Sequence, residues 1–179
     1  MNEKKPFIIA LDKGFFIMEV VLLGIGRFIS AHALSLHREY LEALRAKKCM
    51  GLDAKEGLEL KIRSHELYFS SFRTGFARCE RAARGYGSEN AFIFALREFA
   101  EAKENCFLYV FPRSRYPYVG FSADSRDAFR SVLCVDLFEH AYFLDYGFDK
   151  NAYLHAALSH LDLSLLDRDF QRNGKIGGE

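Results

Sequence analysis

From Ser30 onward the chain carries a helical pattern. His32, Leu36, Tyr40 and Leu44 recur every four residues on one face, and Lys47-Lys48 put positive charge in the last turn. A second helix opens at Asp53, where D-A-K-E has the form of a capping box. It carries Leu58, Ile62, His65, Phe69, Phe72 and Phe76 at alternating steps of four and three, a seam suited to packing two helices side by side. Gly85-Tyr86-Gly87 breaks this pattern, and Ser88 caps a third helix reaching about residue 103. The period then changes. NCFLYVF and YPYVGFS are rich in aromatic and β-branched residues and flank an RSR turn, as in a hairpin, and SVLCVD reads as a third strand. Helices are expected over about 137–146 and 151–166, followed by a polar tail, QRNGKIGGE, that should fray. At the other end the apolar run FFIMEVVLLGIG is broken by Asp12, Lys13 and Glu19. It falls short of the ~20 apolar residues a membrane span needs, so a buried N-terminal helix is expected.

Helices first and an antiparallel sheet later predict an α+β protein: an N-terminal antiparallel helical hairpin over 1–85, then a C-terminal domain over 86–179 with a small three-stranded antiparallel sheet flanked by helices. With 179 residues, half of them hydrophobic, the chain can bury a sizeable core. Twenty-five basic against twenty-four acidic residues leave a net charge of +1, which provides no field to attract nucleic acid or an anionic membrane. Four cysteines without a C-x-x-C pair read as free thiols in a reducing, intracellular compartment, cytoplasm or mitochondrial matrix.

Candidate chemistry enters with the stretch VDLFEHAYFLDY, in which Asp136 and His140 stand inside an otherwise apolar and aromatic run. Buried acids and imidazoles need a partner. A hydrogen-bonded core histidine would explain His32 or His65 taken singly. Together, a helical hairpin can present His32 to His65, and the chain returning from the sheet can add Asp136 and His140. Three imidazoles and one carboxylate form a four-ligand set suited to non-haem iron or manganese.

At this point the chain resembles the iron/manganese superoxide dismutases. Asp136-Leu137-Phe138-Glu139-His140-Ala141-Tyr142 matches their D-x-W-E-H-A-Y with Phe for Trp, and the likeness continues through Leu144-Asp145-Tyr146 and Tyr153-Leu154. The family has a ligand histidine followed five residues later by another and eight residues later by an active-site tyrosine, spacings met by His32, His37 and Tyr40. Arg63 to Phe69 resembles the family's W-N-H-x-x-Y-W, and Phe107-Leu108-Tyr109 its W-x-W. The resemblance implies one iron or manganese ion per chain, held by His32, His65, Asp136 and His140, with superoxide as substrate and oxygen and hydrogen peroxide as products. It implies Tyr40 as the catalytic proton donor, with His37, Tyr68 and Arg126 around the ligands. Glu139 would reach across a two-fold interface toward the ligand His140 of a second copy or a related subunit.

The departures from the family lie around the ion. The glutamine that faces the centre in family members is replaced by Lys61 at one of its two possible positions and by the loop Ser125-Arg126-Asp127 at the other. A His/Tyr pair that meets across the family's interface is replaced by Leu36 and Phe143, and the chain has no tryptophan. These changes motivate an alternative: a non-catalytic subunit that keeps the fold and serves in a larger assembly, for example a mitochondrial ribosome or a respiratory complex. His155 and His160 read as surface or packing residues.

Overall fold

The computed structural model describes residues 24–51, 56–73, 79–113 and 117–173. The expected N-terminal helix, the D-A-K-E cap, Phe76 and most of the RSR turn lie outside them. The first helix, α1 (Ala31–Cys49), starts at Ser30, whose hydroxyl accepts from the Ala33 amide at 3.2 Å, and closes on Lys47 and Lys48. The second, α2 (Glu56–Ser70), runs back along it. His37 packs on Phe69, Arg45 pairs with Glu66 and Lys48 with Glu59, an order that reverses between the two helices and makes them antiparallel. Leu41 and Leu44 meet Leu58 and Ile62 in a small core of their own, so the seam read from the sequence does join the pair.

Two short helices follow, α3 (Glu80–Tyr86) and α4 (Glu89–Glu101). The sequence pattern predicts one long helix ahead of a break at Gly85-Tyr86-Gly87 and no separate short helix there. The structure stops α3 at Gly87, whose φ of 84° is a left-handed conformation that glycine adopts without strain. Ser88 caps α4 as expected, accepting from the Ala91 amide at 3.0 Å.

The sheet consists of β1 (Phe107–Pro112), β2 (Val119–Ser122) and β3 (Leu133–Asp136), antiparallel in the order β2-β1-β3. A 3₁₀ turn, Ser125–Phe129, links the last two strands. β1 reads FLYVF without alternation because it is the middle strand and is covered: α7 packs against it and α2 against its neighbour β3. The register sets Phe107 opposite Asp136, which fixes Asp136 as the last paired residue of β3. Three helices follow, α5 (Glu139–Tyr146), α6 (Lys150–Ser159) and α7 (Ser164–Asn173).

The last two replace the one helix expected over 151–166. Leu161 leaves the helix to bridge Phe72, and the Asp162 amide donates to the Ser71 carbonyl at 2.8 Å, so backbone bonding to the end of α2 interrupts the turn. The arrangement is the expected α+β class: among the described residues, seven helices of seven residues or more, with a three-stranded antiparallel sheet in the C-terminal half. None of the described helices is long and apolar enough to cross a membrane.

Candidate metal centre

Asp136 ends β3 and His140 is the second residue of α5, so the two meet across a strand-to-helix turn rather than along one helix. The Phe138 amide donates to Asp136 Oδ1 at 2.9 Å, which tightens that turn and leaves Oδ2 free to point inward. Three imidazoles converge on Oδ2. His37 Nε2 and His140 Nε2 each lie 3.3 Å from it, and His65 Nε2 lies 3.9 Å away.

This cluster joins the N-terminal helices to the C-terminal half of the fold. His37 comes from α1, His65 from α2, and the other two residues from the segment leaving the sheet. The ligand-capable atoms of His37, His65, Asp136 and His140 all lie within 4.8 Å of one another. Donors bound at ~2.0–2.2 Å to one first-row ion and set about 90–120° apart sit roughly 2.8–3.8 Å from each other. The distances to Asp136 Oδ2 fall within that window or at its edge.

The hydrogen-bond ledger supports the same chemistry. His37 Nε2, His65 Nε2 and Asp136 Oδ2 are buried without a hydrogen-bond partner. Such orphaned groups are destabilising unless something binds them. His65 Nδ1 lies 2.7 Å from the Lys61 carbonyl, which accepts its proton and leaves the lone pair on Nε2 facing the cluster. Burial pushes the His65 pKa below its ordinary value, which favours the neutral, ligating form. At Asp136 burial raises the carboxyl, and the histidine contacts more than offset it and hold it at about 2. A carboxylate among imidazoles is a donor set that iron or manganese fits.

Aromatic rings wall the centre. Tyr68 stacks on His37 at 5.1 Å, Phe69 and Phe107 meet His37 and His65 edge-on, and Phe138 stacks on His140. One side is open. The His140 side chain is 41 % exposed, and the Tyr40 ring, itself 42 % exposed, lies 5.3 and 5.4 Å from His65 and His140.

The histidine of α1 in the cluster is therefore His37, where the sequence reading had His32. His32 and Leu36 are exposed, and the buried face of α1 is Ala33, Leu34, His37, Leu41 and Leu44. His32 and Leu36 face outward, while Tyr40 on the same stripe turns its ring over the open side of the cluster. Counted from His37, the position eight residues on is Arg45, whose guanidinium is braced by Glu66 and Glu42. Four residues on stands Leu41, buried between the helices, so Leu36 and Phe143 are separate surface residues and not the two halves of one replaced contact. The Lys61 side chain is exposed. Arg126 is paired with Asp124 at the surface, and no contact among the described residues joins it to the cluster. Glu139 is exposed at the start of α5, beside Glu104 and Phe143 in a shallow cleft. His155 is exposed, and His160 stacks on Phe28.

Compared with known proteins, the chain matches no curated protein over its sequence. Residues 83–168, which contain β1 to β3, Asp136 and His140, match the model of iron/manganese superoxide dismutases, C-terminal domain. That match, together with a buried histidine and aspartate group able to hold a metal, supports membership of the iron/manganese superoxide dismutase family, with residues 83–168 as the part that resembles its C-terminal domain.

Proposed function

We propose that the chain binds one iron or manganese ion through His37, His65, Asp136 and His140 and disproportionates superoxide there. The observation that carries this reading is the convergence of three imidazole nitrogens on one carboxylate oxygen, with three of these four atoms buried and otherwise unpartnered. When bound, such an ion supplies one-electron redox chemistry, so that two superoxide anions and two protons become one oxygen and one hydrogen peroxide. The protein's own contribution is position and access. Lys61 and Phe138 orient His65 and Asp136 through backbone bonds, and Phe69, Phe107 and Phe138 keep water from the inner side. Tyr40 stands at the open side, where its phenol can hold a proton for an arriving anion.

Next to His140, Glu139 shares a cleft with Phe143 and Phe148, two large and exposed apolar residues that pack on each other. A second copy or a related subunit covering this face is the pairing we favour. A second reading has an observation of its own. Arg45 stands where the family's spacing from His37 asks for a tyrosine, and neither Lys61 nor Arg126 reaches the cluster. On that reading the ion cross-links the fold, and the protein serves as a structural part of a larger assembly.

The deciding experiment measures superoxide consumption per iron or manganese atom bound to the purified chain, with His37→Ala as control. Turnover above the free-ion background that vanishes in the variant supports the dismutase reading. Bound metal with background turnover rejects it in favour of the cross-link, and absence of metal rejects both.

A further inference from the structure

Tyr153, buried on α6, touches the supports of two cluster residues that come from different halves of the chain. Its hydroxyl donates to the backbone carbonyl of Asp136 at 2.8 Å and lies 3.3 Å from the hydroxyl of Tyr68. Tyr68, equally buried, stacks on His37 at 5.1 Å with the two rings only 29° from parallel. Every acceptor of Asp136 thus has an assignment. The carbonyl is held by Tyr153, Oδ1 by the Phe138 amide, and Oδ2 is left to the cluster. A strand-end carbonyl and an imidazole on another helix are coupled through two phenols that fill no other polar role among the described residues.

We propose that the Tyr153 hydroxyl, acting with Tyr68, is a positioning group of the metal centre that fixes Asp136 against His37. It rests on the reading that the cluster holds iron or manganese. A bound ion samples the angle between its donors, and groups outside its direct ligands set that angle. A phenylalanine at 153 would keep the packing and release the Asp136 carbonyl, so the strand end could rotate relative to α1. The consequence falls on ligand geometry first and on stability second.

A matched control lies in the same aromatic cluster. The Tyr146 hydroxyl donates to the Phe28 carbonyl at 2.6 Å and its ring meets Tyr153 edge-on, yet it touches neither a cluster residue nor Tyr68 among the described contacts. The experiment loads the wild type, Tyr153→Phe, Tyr68→Phe and Tyr146→Phe with manganese(II). It reads the electron paramagnetic resonance spectrum, the manganese affinity, and the melting temperature of each metal-free protein. Tyr153→Phe should bind manganese about 10- to 100-fold more weakly with an altered zero-field splitting. Tyr68→Phe should alter the splitting in the same sense, and Tyr146→Phe should match the wild type in both readings even if its melting temperature falls. A wild type that binds manganese while Tyr153→Phe and Tyr68→Phe show its spectrum and affinity overturns the positioning role alone, as do equal effects of Tyr146→Phe and Tyr153→Phe. If Tyr153→Phe does not fold, the Tyr68→Phe spectrum decides by the same criteria. A wild type that binds no manganese or iron overturns the metal reading and this inference with it.

Discussion

His37 sits between Leu34 and Leu41 on the buried side of α1, and five residues at about 100° each turn it roughly 140° away from His32. Replacing His37, His65 or His140 by alanine should therefore abolish stoichiometric metal in the purified protein, while His32→Ala should leave the metal content unchanged, as read by elemental mass spectrometry. Equal losses for His32→Ala and His37→Ala would contradict the geometry. Asp136 offers a second test. Its carboxyl is held at about 2, below the ordinary 3.8, so the stability it contributes to the metal-free protein is complete above the ordinary value and fades as pH falls toward 2. Asp136→Asn should flatten the acid limb of the stability curve between about pH 4 and 2, measured by urea unfolding. Asp136 and His140 were legible in the sequence because the turn that joins them is local. His37 was not. Two apolar stripes, one through Leu36 and one through Leu34 and Leu41, share Leu44, and only the packing of α1 on α2 and α5 selects between them.

At the scale of elements, the end of α2 is set by a junction that no period announces. The Ser71 hydroxyl donates to the Leu67 carbonyl at 2.6 Å and accepts the Cys134 amide at 2.7 Å, while the Ser71 carbonyl takes the Asp162 amide. One residue thus ties α2, β3 and the start of α7 together, which explains both the early stop of α2 and the break between α6 and α7. Ser71→Ala would orphan the buried Cys134 amide, and a loss of about 1–3 kcal/mol is expected in chemical denaturation. Gly120 makes a different demand. A Cβ there would stand 2.4 Å from a Phe111 ring carbon, and Phe111 is itself buried. Gly120→Ala should cost about 1–3 kcal/mol through forced movement of that ring. The strands and α4 could be read from composition and a serine cap because those signals are local. Long-range backbone bonds such as Asp162 to Ser71 leave no mark in the chain's periodicity.

For the molecule as a whole, a bound ion would join α1, α2 and the β3 to α5 turn, so chelation should lower stability as well as remove colour or signal. Free metal at about a hundred times its dissociation constant adds roughly 2.7 kcal/mol, and the melting temperature should rise with metal concentration accordingly. A melting temperature indifferent to iron and manganese would argue against the site. Phe148 is 88 % exposed and packs on Phe143. If that face is covered by a second copy, Phe148→Asp should shift the sedimentation coefficient to that of a monomer without unfolding it. The four donors also have a temporal order. About a hundred residues separate His37 from His140, which at about 5–20 residues per second is roughly 5–20 s of synthesis. No nascent chain can present the complete donor set before His140 is made. The choice between iron and manganese would then be made late, by whichever ion is abundant where folding finishes, and the same polypeptide matured in two compartments could carry two different metals.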